Sequence, residues 1–189
     1  MRRALLLRHT EVAPHWAGRC YGRSDVGLSR AGRAQAQGLA ASGLARDFDR
    51  VLASPARRAR WLGGLLAGER LEIEPRLAER DFGSWEGLGW NAIWHATGNA
   101  MDGMIDAPDS FRPGGGETTA ELAARVLDWW EGLPADTTVL AVAHGGPIAA
   151  LAGTLLRQAP RQWLALVPRP GEGLLVAGGA VSPWKPPAP

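Results

Sequence analysis

The sequence predicts an α/β protein, a three-layer α/β/α sandwich with a mostly parallel central sheet. Short apolar runs rich in Val, Leu and Ala alternate with longer segments of helical periodicity, which is typical of strands joined by crossover helices that cover both faces of a sheet. The chain has 189 residues, of which 46% are hydrophobic and 21% are charged. These values are typical of a single globular domain with a sizeable buried core.

The first half of the chain contains three predicted strands and two predicted helices. A long loop with several Gly and Arg residues follows the first strand, and Ser29, at the end of that loop, has the side chain of a helix N-cap. In chain order, the elements are strand 4–7, helix 31–44, strand 50–53, helix 56–66 and strand 71–73.

The second half begins with a stretch of different texture. Residues 80–116 mix Gly, Trp, Asn, Asp and Pro without sustained periodicity, apart from a short predicted helix at 90–97, and we interpret them as a lid-like insertion. The elements that follow are helix 117–130, strand 139–143, helix 148–156 and strand 174–177. We expect one domain over residues 1–181 and a disordered, Pro-rich tail over residues 182–189.

The charge balance and the rare residue types exclude several classes of function. The 21 basic and 19 acidic residues leave a net charge of +2, which is too little to bind nucleic acid or an anionic membrane by charge alone. Lys185 is the only lysine, so a Walker A loop and a lysine Schiff base both lack their amine. The lone Cys20 forms no intrachain disulfide and the N-terminus has no signal-peptide core, so we expect a cytoplasmic protein.

One apolar stretch, residues 138–156, has about the length of a membrane span. Its centre holds His144, two glycines and Pro147, which divide a strand-type run from a helix-type run. We therefore interpret the stretch as a strand followed by a helix and expect no membrane partner.

Polar residues suited to phosphate follow three of the predicted strands. The first strand runs into Arg8 and His9, the second into Ser54 and then Arg58, and the fourth into His144. Because the carboxyl ends of parallel strands line a common crevice, residues distant in sequence can converge there. A single His after a strand is most often structural, so the coincidence of all three is what indicates a phosphate site.

The same segments match the motifs of a known family. They are, in chain order, LLRHT at residues 6–10, SPARRA at 54–59, LAERDFGSWEG at 77–87 and VAHGG at 142–146. Together they resemble the histidine phosphatase superfamily, also called phosphoglycerate mutase-like. Thr10, CYG at residues 20–22 and GGGET at 114–118 further resemble its α-ribazole phosphatase branch, which acts in cobalamin biosynthesis.

The resemblance implies a role for each motif residue. His9 is the nucleophile that forms a phosphohistidine, Glu79 is the acid and base, and Arg8, Arg58 and His144 hold the phosphoryl oxygens. It implies no metal or other cofactor. Further phosphate contacts are expected from a second set of residues, Thr10, Tyr21, Gly22 and the backbone N–H of Gly145.

Several assignments have competitors within the same motifs. Asp81 and Glu86 lie close enough to Glu79 in sequence to take the role of acid, although Glu86 is more easily explained as structural. Arg57 and Arg60 flank Arg58 and are expected to face solvent because of the helical spacing. The tryptophans Trp85, Trp90 and Trp94 are either core residues or the lining of a substrate cleft. A metal site built from the four histidines, His9, His15, His95 and His144, would lack the usual ligand spacing. Cys20 is excluded as a tyrosine-phosphatase nucleophile, because Val26 occupies the position where that loop needs arginine.

The sequence therefore predicts a metal-independent phosphomonoesterase that acts on a small phosphorylated metabolite, with α-ribazole 5′-phosphate as the favoured substrate. Phosphoglycerate mutase-type phosphoryl transfer is an alternative, although so short a chain has little room to enclose a bisphosphorylated intermediate. A second alternative is a non-catalytic module that binds a phosphorylated ligand. The oligomeric state is left open.

Overall fold

The computed structural model describes residues 1–186 and contains a central six-stranded sheet. Its strands are β1 (Arg3–Arg8), β2 (Arg50–Ala53), β3 (Leu71–Ile73), β4 (Thr138–Ala143), β5 (Gly173–Ala177) and β6 (Ala180–Trp184). The spatial order is β3-β2-β4-β1-β5-β6. The first four strands are parallel, whereas β5 pairs antiparallel with β1 and β6 antiparallel with β5. The predicted α/β class with a mostly parallel sheet is confirmed.

Helices cover both faces of this sheet. They are α1 (Arg30–Ala41), α2 (Arg57–Ala67), α3 (Trp90–Thr97), the short α4 (Gly103–Asp106), α5 (Thr119–Glu131) and α6 (Gly145–Leu155). Ser29 caps α1 by accepting a hydrogen bond from the N–H of Gly32. Thr118 and Glu121 form a reciprocal capping box at the start of α5, so both long helices begin at residues whose side chains satisfy free backbone donors.

Successive residues of each central strand face opposite layers. In β1, Leu5 and Leu7 lie in the apolar cluster shared with α1 and α2, whereas Ala4 and Leu6 lie in the cluster shared with α5 and α6. This alternation follows from the period of two in a strand. It places the buried core on both sides of the sheet and leaves the carboxyl ends of the strands free to form a site.

The expectation of a disordered tail from residue 182 is wrong for the part that belongs to β6. Gly178 and Gly179, both with positive φ, connect β5 to β6, as a two-residue hairpin turn requires. Val181 and Trp184 pack against the two apolar clusters, and Pro183 is tolerated because β6 is an edge strand. Residues 187–189, the end of the predicted tail, lie outside the described residues.

The segment expected as a lid-like insertion contains α3, α4 and short 3-10 turns. It is built around a small third cluster of Cys20, Trp85 and Ile93. Over residues 1–186, no helix combines the length and the apolar character needed to cross a membrane. The apolar stretch 138–156 forms β4 and then α6, as its sequence predicts.

Candidate active site

The carboxyl ends of β1, β2 and β4 bring the predicted polar residues together. His9 directly follows β1, Ser54 follows β2 and His144 follows β4. The rings of His9 and His144 lie edge to face with their centroids 5.1 Å apart. Their exposed fractions are only 2% and 0%, so the two imidazoles share one buried pocket.

His9 is held as a neutral imidazole. Its Nδ1 lies 2.8 Å from the carbonyl oxygen of Thr10, and because a carbonyl oxygen only accepts, Nδ1 carries the hydrogen and Nε2 keeps its lone pair. Burial, assisted by the charges of Arg58 and Arg8, lowers the pKa of His9 to about 3 against the opposing effect of the Thr10 bond. The ring is therefore unprotonated near neutral pH, which is the state that a histidine nucleophile needs.

Arg58 is fully buried and is anchored by the loop that precedes α1. Its guanidinium donates to the carbonyl oxygens of Tyr21 at 3.3 Å, Gly22 at 2.7 Å and Ser24 at 2.8 Å. Tyr21 and Gly22 thus contact Arg58 through acceptors, and their own contact with phosphate stays a prediction. A phosphoryl group would have to share the donors of Arg58 with this loop, which the sequence did not indicate.

His144 has both ring nitrogens engaged. Nδ1 accepts from Nε of Arg58 at 3.2 Å, so Nε2 carries the hydrogen and donates to Oγ of Ser54 at 2.7 Å. Burial and then the charge of Arg58 hold the pKa of His144 well below its usual range. The sequence predicts Ser54 near the phosphate site without a role for it, and in the structure its Oγ is the partner of His144.

The residues on either side of His9 in the chain each have a buried polar atom without a hydrogen-bond partner within residues 1–186. These atoms are Nε of Arg8 and Oγ1 of Thr10. Arg8 is otherwise fixed by a 2.9 Å bond from Nη1 to the carbonyl of Pro168, and Gly145 lies against it, since a Cβ there would be 3.6 Å from Cζ of Arg8. Buried donors are normally paired, so an anion between Arg8, Thr10 and His9 would complete the pocket.

Glu79 faces the start of α6. Its Oε2 accepts from the N–H of Gly146 at 3.3 Å and its Oε1 from the N–H of Arg80 at 2.9 Å. A Cβ on Gly146 would lie 2.2 Å from Oε1, so only glycine permits this approach. The carbonyl oxygen of Glu79 accepts from Arg23 and Arg125, which fixes the backbone that carries the carboxylate.

The competing acids have other contacts. Oδ1 of Asp81 accepts from the N–H of Gly83 at 2.8 Å. The carboxylate of Glu86 accepts from the N–H groups of Arg23 at 2.7 Å and Ser24 at 2.9 Å. Neither acid lines the large cavity that Arg8 and Gly145 border, whereas Glu79 does. The geometry favours Glu79 among the three as the acid.

This cavity has a volume of about 500 Å³. Its polar side chains are those of Arg8, Glu79, Arg80, Asp102 and Thr119, and the first residues of α6 adjoin them. Most of the remaining wall is apolar, with Trp90, Met101, Ile105, Leu122 and Trp163 among its residues. The insertion and the 3-10 segment Pro160–Leu166 supply much of this wall. The cavity therefore adjoins the predicted phosphate pocket on the side where a leaving group would lie.

The other candidates lie elsewhere. Trp90 lines the cavity, but Trp85 is a core residue and Trp94 is 53% exposed. Arg57 and Arg60 are exposed, as the helical spacing predicts, and His15 and His95 are also exposed. Burial raises the pKa of the Cys20 thiol to about 12, which disfavours a thiolate nucleophile. No group of three or more His, Cys, Asp or Glu side chains within residues 1–186 is arranged to hold a metal.

Comparison with protein families identifies one match over most of the chain. Residues 4–171 match the sequence model of the histidine phosphatase superfamily (branch 1). The matched region contains all of the predicted site residues from Arg8 to Gly145.

Individual relatives share this length and fold. The glucosyl-3-phosphoglycerate phosphatase of Mycobacterium tuberculosis is 33% identical over 181 residues, which cover 87% of this chain and 80% of the relative. A putative phosphoserine phosphatase 2 of Hydrogenobacter thermophilus is 29% identical over 156 residues, covering 80% and 77%. A crystal structure of mycobacterial glucosyl-3-phosphoglycerate phosphatase with VO3 superposes with a TM-score of 0.82 at 29% identity, covering 98% of this chain and 99% of that one.

Proposed function

The chain belongs to the histidine phosphatase superfamily (branch 1) and is a phosphoric monoester hydrolase, and on that premise we propose that it hydrolyses a small phosphorylated metabolite through a phosphohistidine at His9. The observation that carries the proposal is the state of His9. Its ring is neutral, its Nε2 lone pair is free, and its two neighbours in the chain, Arg8 and Thr10, have unpartnered donors. A nucleophile next to vacant anion donors suits attack on phosphorus.

In the first step, Nε2 of His9 attacks phosphorus and the bond between phosphorus and the ester oxygen breaks. The electron pair of that bond leaves with the oxygen, to which Glu79 gives a proton. Arg8 and Arg58 compensate the charge on the phosphoryl oxygens throughout, and Thr10 and the N–H of Gly145 add donors. His144 becomes a further donor when its Nε2–H turns from Ser54 to a phosphoryl oxygen. Desolvation of the pocket strengthens each of these contacts.

In the second step, water attacks the phosphohistidine. Glu79, now a carboxylate, takes a proton from this water, and the P–N bond breaks so that its electron pair returns to Nε2 of His9. Inorganic phosphate leaves and both residues regain their starting protonation. Every proton is accounted for by Glu79, so these steps need no metal ion.

The substrate is proposed at the level of a small phosphomonoester whose leaving group occupies the 500 Å³ cavity. The names of the relatives suggest glucosyl-3-phosphoglycerate and phosphoserine, whereas the Thr10, CYG and GGGET motifs favour α-ribazole 5′-phosphate. We place the enzyme in the cytoplasm, where the buried Cys20 would stay reduced.

The test is hydrolysis of p-nitrophenyl phosphate in the presence of EDTA by the wild type and by His9→Ala. We expect chelator-resistant activity in the wild type, loss of at least about 1000-fold in His9→Ala, and an acid-labile, alkali-stable phosphoenzyme that forms only when His9 is present. Equal activity of the two proteins would remove His9 from the mechanism. Transfer to 3-phosphoglycerate in place of phosphate release would identify a mutase, and binding without turnover would identify a non-catalytic module.

A further inference from the structure

Arg80 lines the same cavity but has no role in the steps above. Its exposed fraction is 9%. Nη1 donates to Oγ1 of Thr119 at 3.0 Å and to the carbonyl of Glu117 at 3.4 Å. The other edge of the guanidinium, formed by Nε and Nη2, has no hydrogen-bond acceptor within residues 1–186. Arg80 is thus fixed from one side and open on the other.

The charge of Arg80 also lacks a direct partner. Arg76 and Arg125, which flank the same region, form salt bridges with Glu74, Asp128 and Glu117, but no carboxylate of residues 1–186 lies within salt-bridge distance of Arg80. Burial lowers the pKa of Arg80, and Glu79 and Glu117 oppose this only through space. An anion bound in the cavity that Arg80 lines would give this guanidinium the direct partner that it lacks.

Two arginines, Arg8 and Arg80, line the cavity, and we assign them to different groups of the substrate. Arg8 belongs to the pocket of His9 through its unpartnered Nε. Arg80 instead lies next to Glu79, on the leaving-group side. The free edge offers two parallel N–H donors, which is the arrangement that a carboxylate binds most specifically.

We propose that Arg80 binds a carboxylate on the leaving group, so that the enzyme selects phosphomonoesters of hydroxy acids over esters without an acid group. This inference rests on the proposed function, because it needs the ester to lie between His9 and Glu79. It separates the substrate candidates: phosphoserine and glucosyl-3-phosphoglycerate carry a carboxylate, whereas α-ribazole 5′-phosphate does not.

The first test needs only the wild-type protein and matched substrate pairs. Phosphoserine is compared with phosphoethanolamine, which lacks the carboxylate, and 3-phosphoglycerate with glycerol 3-phosphate, in which a hydroxymethyl group replaces it. We expect kcat/KM to be about 10- to 100-fold higher for the carboxylate of each pair, as for a charge-assisted pair of hydrogen bonds. Equal values, or no turnover of any of the four, would overturn the proposal.

Two further comparisons identify which assumption is wrong if the carboxylate preference is not found. If fructose 1,6-bisphosphate is preferred over fructose 6-phosphate while the carboxylate pairs are equal, the anion is a second phosphate and the carboxylate assignment is wrong. If p-nitrophenyl phosphate with EDTA is hydrolysed without any preference in the pairs, this inference alone fails. If p-nitrophenyl phosphate is not hydrolysed at all, the proposed function itself fails.

Variants then test Arg80 directly. In Arg80→Gln the preference within each pair should fall to near one, and in Arg80→Lys, which keeps the charge without the fork, it should be intermediate. Arg60→Gln is the matched control, because Arg60 is exposed and should retain the wild-type preference. The ratio within a pair does not depend on the fraction of folded protein. An Arg80→Gln variant with the wild-type ratio would contradict the assignment.

Discussion

Nε of Arg58 donates to Nδ1 of His144 at a distance of 3.2 Å, and this contact fixes the tautomer of a fully buried imidazole. A protonated His144 could not accept that bond and would be opposed by the charges of three arginines, Arg58, Arg8 and Arg125. The pocket is therefore built around two neutral histidines, with the positive charge on the guanidinium groups. Because the histidines are neutral and the arginines carry the positive charge, the lone pair of His9 stays available and the pocket still attracts phosphate.

The two buried histidines predict a stability that depends on pH. Unfolding restores a pKa of 6.5 to His9, whose folded pKa is about 3, so below pH 6.5 the unfolded chain binds protons that the folded chain excludes. The free energy of unfolding should fall by about 1.4 kcal/mol per pH unit for His9, with a further loss from His144, between pH 6.5 and pH 5.

Urea unfolding at several pH values in this window measures the effect. The free energy of unfolding of His9→Gln should depend less on pH than that of the wild type, corresponding to about one proton fewer taken up on unfolding. His15→Gln, at an exposed position, should show the pH dependence of the wild type. Identical pH dependence of the His9→Gln and wild-type proteins would mean that His9 is protonated in the folded state.

Thr10→Val should separate binding from stability. Oγ1 of Thr10 is buried and unpartnered in the structure, so its removal leaves no protein acceptor or donor unsatisfied and should keep or slightly raise the free energy of unfolding. If the hydroxyl donates to a phosphoryl oxygen, the inhibition constant of inorganic phosphate should rise about 10-fold. Thr10→Ser, which keeps the hydroxyl, should bind phosphate as the wild type does. Loss of stability without loss of binding would assign Thr10 to the core instead.

Glu79→Gln should slow substrates according to their leaving groups. A carboxamide cannot donate the proton that an alkoxide needs, but p-nitrophenolate leaves readily without one. We expect the rate constant of the first, phosphoryl-transfer step to fall by about 100-fold or more for an alkyl phosphate and far less for p-nitrophenyl phosphate. Burst kinetics isolate this step from hydrolysis of the phosphoenzyme. An equal decrease in the burst rates of both substrates would transfer the role of acid away from Glu79.

The sequence predicts the framework better than the contacts inside it. Strands 50–53 and 71–73 and helix 90–97 have the same bounds in the structure, because each is a short periodic run between clear breakers. Helix α6 starts at Gly145, earlier than predicted. The predicted start is late because Gly-Gly-Pro resembles a turn. The helix includes these residues because Pro147 lies in its first turn, where no backbone N–H is needed. The apolar pattern of β5 does not indicate that this strand runs antiparallel to β1.

In the site, too, the sequence predicts which residues take part but not how they contact each other. The motifs identify His9, Arg58 and His144, which the fold brings together. The anchoring of Arg58 by three carbonyl oxygens depends on the path of the loop at residues 21–24, and backbone carbonyls leave no signal in a side-chain pattern. Arg80 was missed for a related reason: nothing in its sequence context tells a paired arginine from an unpaired one.

Glu86→Gln should loosen that loop and affect Arg58 indirectly. The carboxylate of Glu86 accepts from the N–H groups of Arg23 and Ser24 and from the hydroxyl of Ser24, and the carbonyl of Ser24 in turn accepts from Arg58. A carboxamide replaces one acceptor with a donor, which should cost about 1–3 kcal/mol of unfolding free energy and lower kcat/KM. The matched control is Glu69→Gln, at an exposed position. A Glu86→Gln protein with wild-type stability would show that the loop is held by other contacts.

Two glycines of α1 give a stability prediction that is independent of the active site. A Cβ on Gly32 would lie 2.1 Å from the carbonyl oxygen of Glu11, whereas one on Gly38 would meet nothing within 4 Å. Gly38→Ala should therefore raise the free energy of unfolding by about 0.5–1 kcal/mol, since alanine restricts the unfolded chain and favours the helix. Gly32→Ala should lower it by about 1–3 kcal/mol, because the backbone of the loop after His9 must move. Chemical denaturation of both variants measures the difference. Since the same substitution is made in the same helix, equal effects would mean that the loop at Glu11 does not pack against α1 as described.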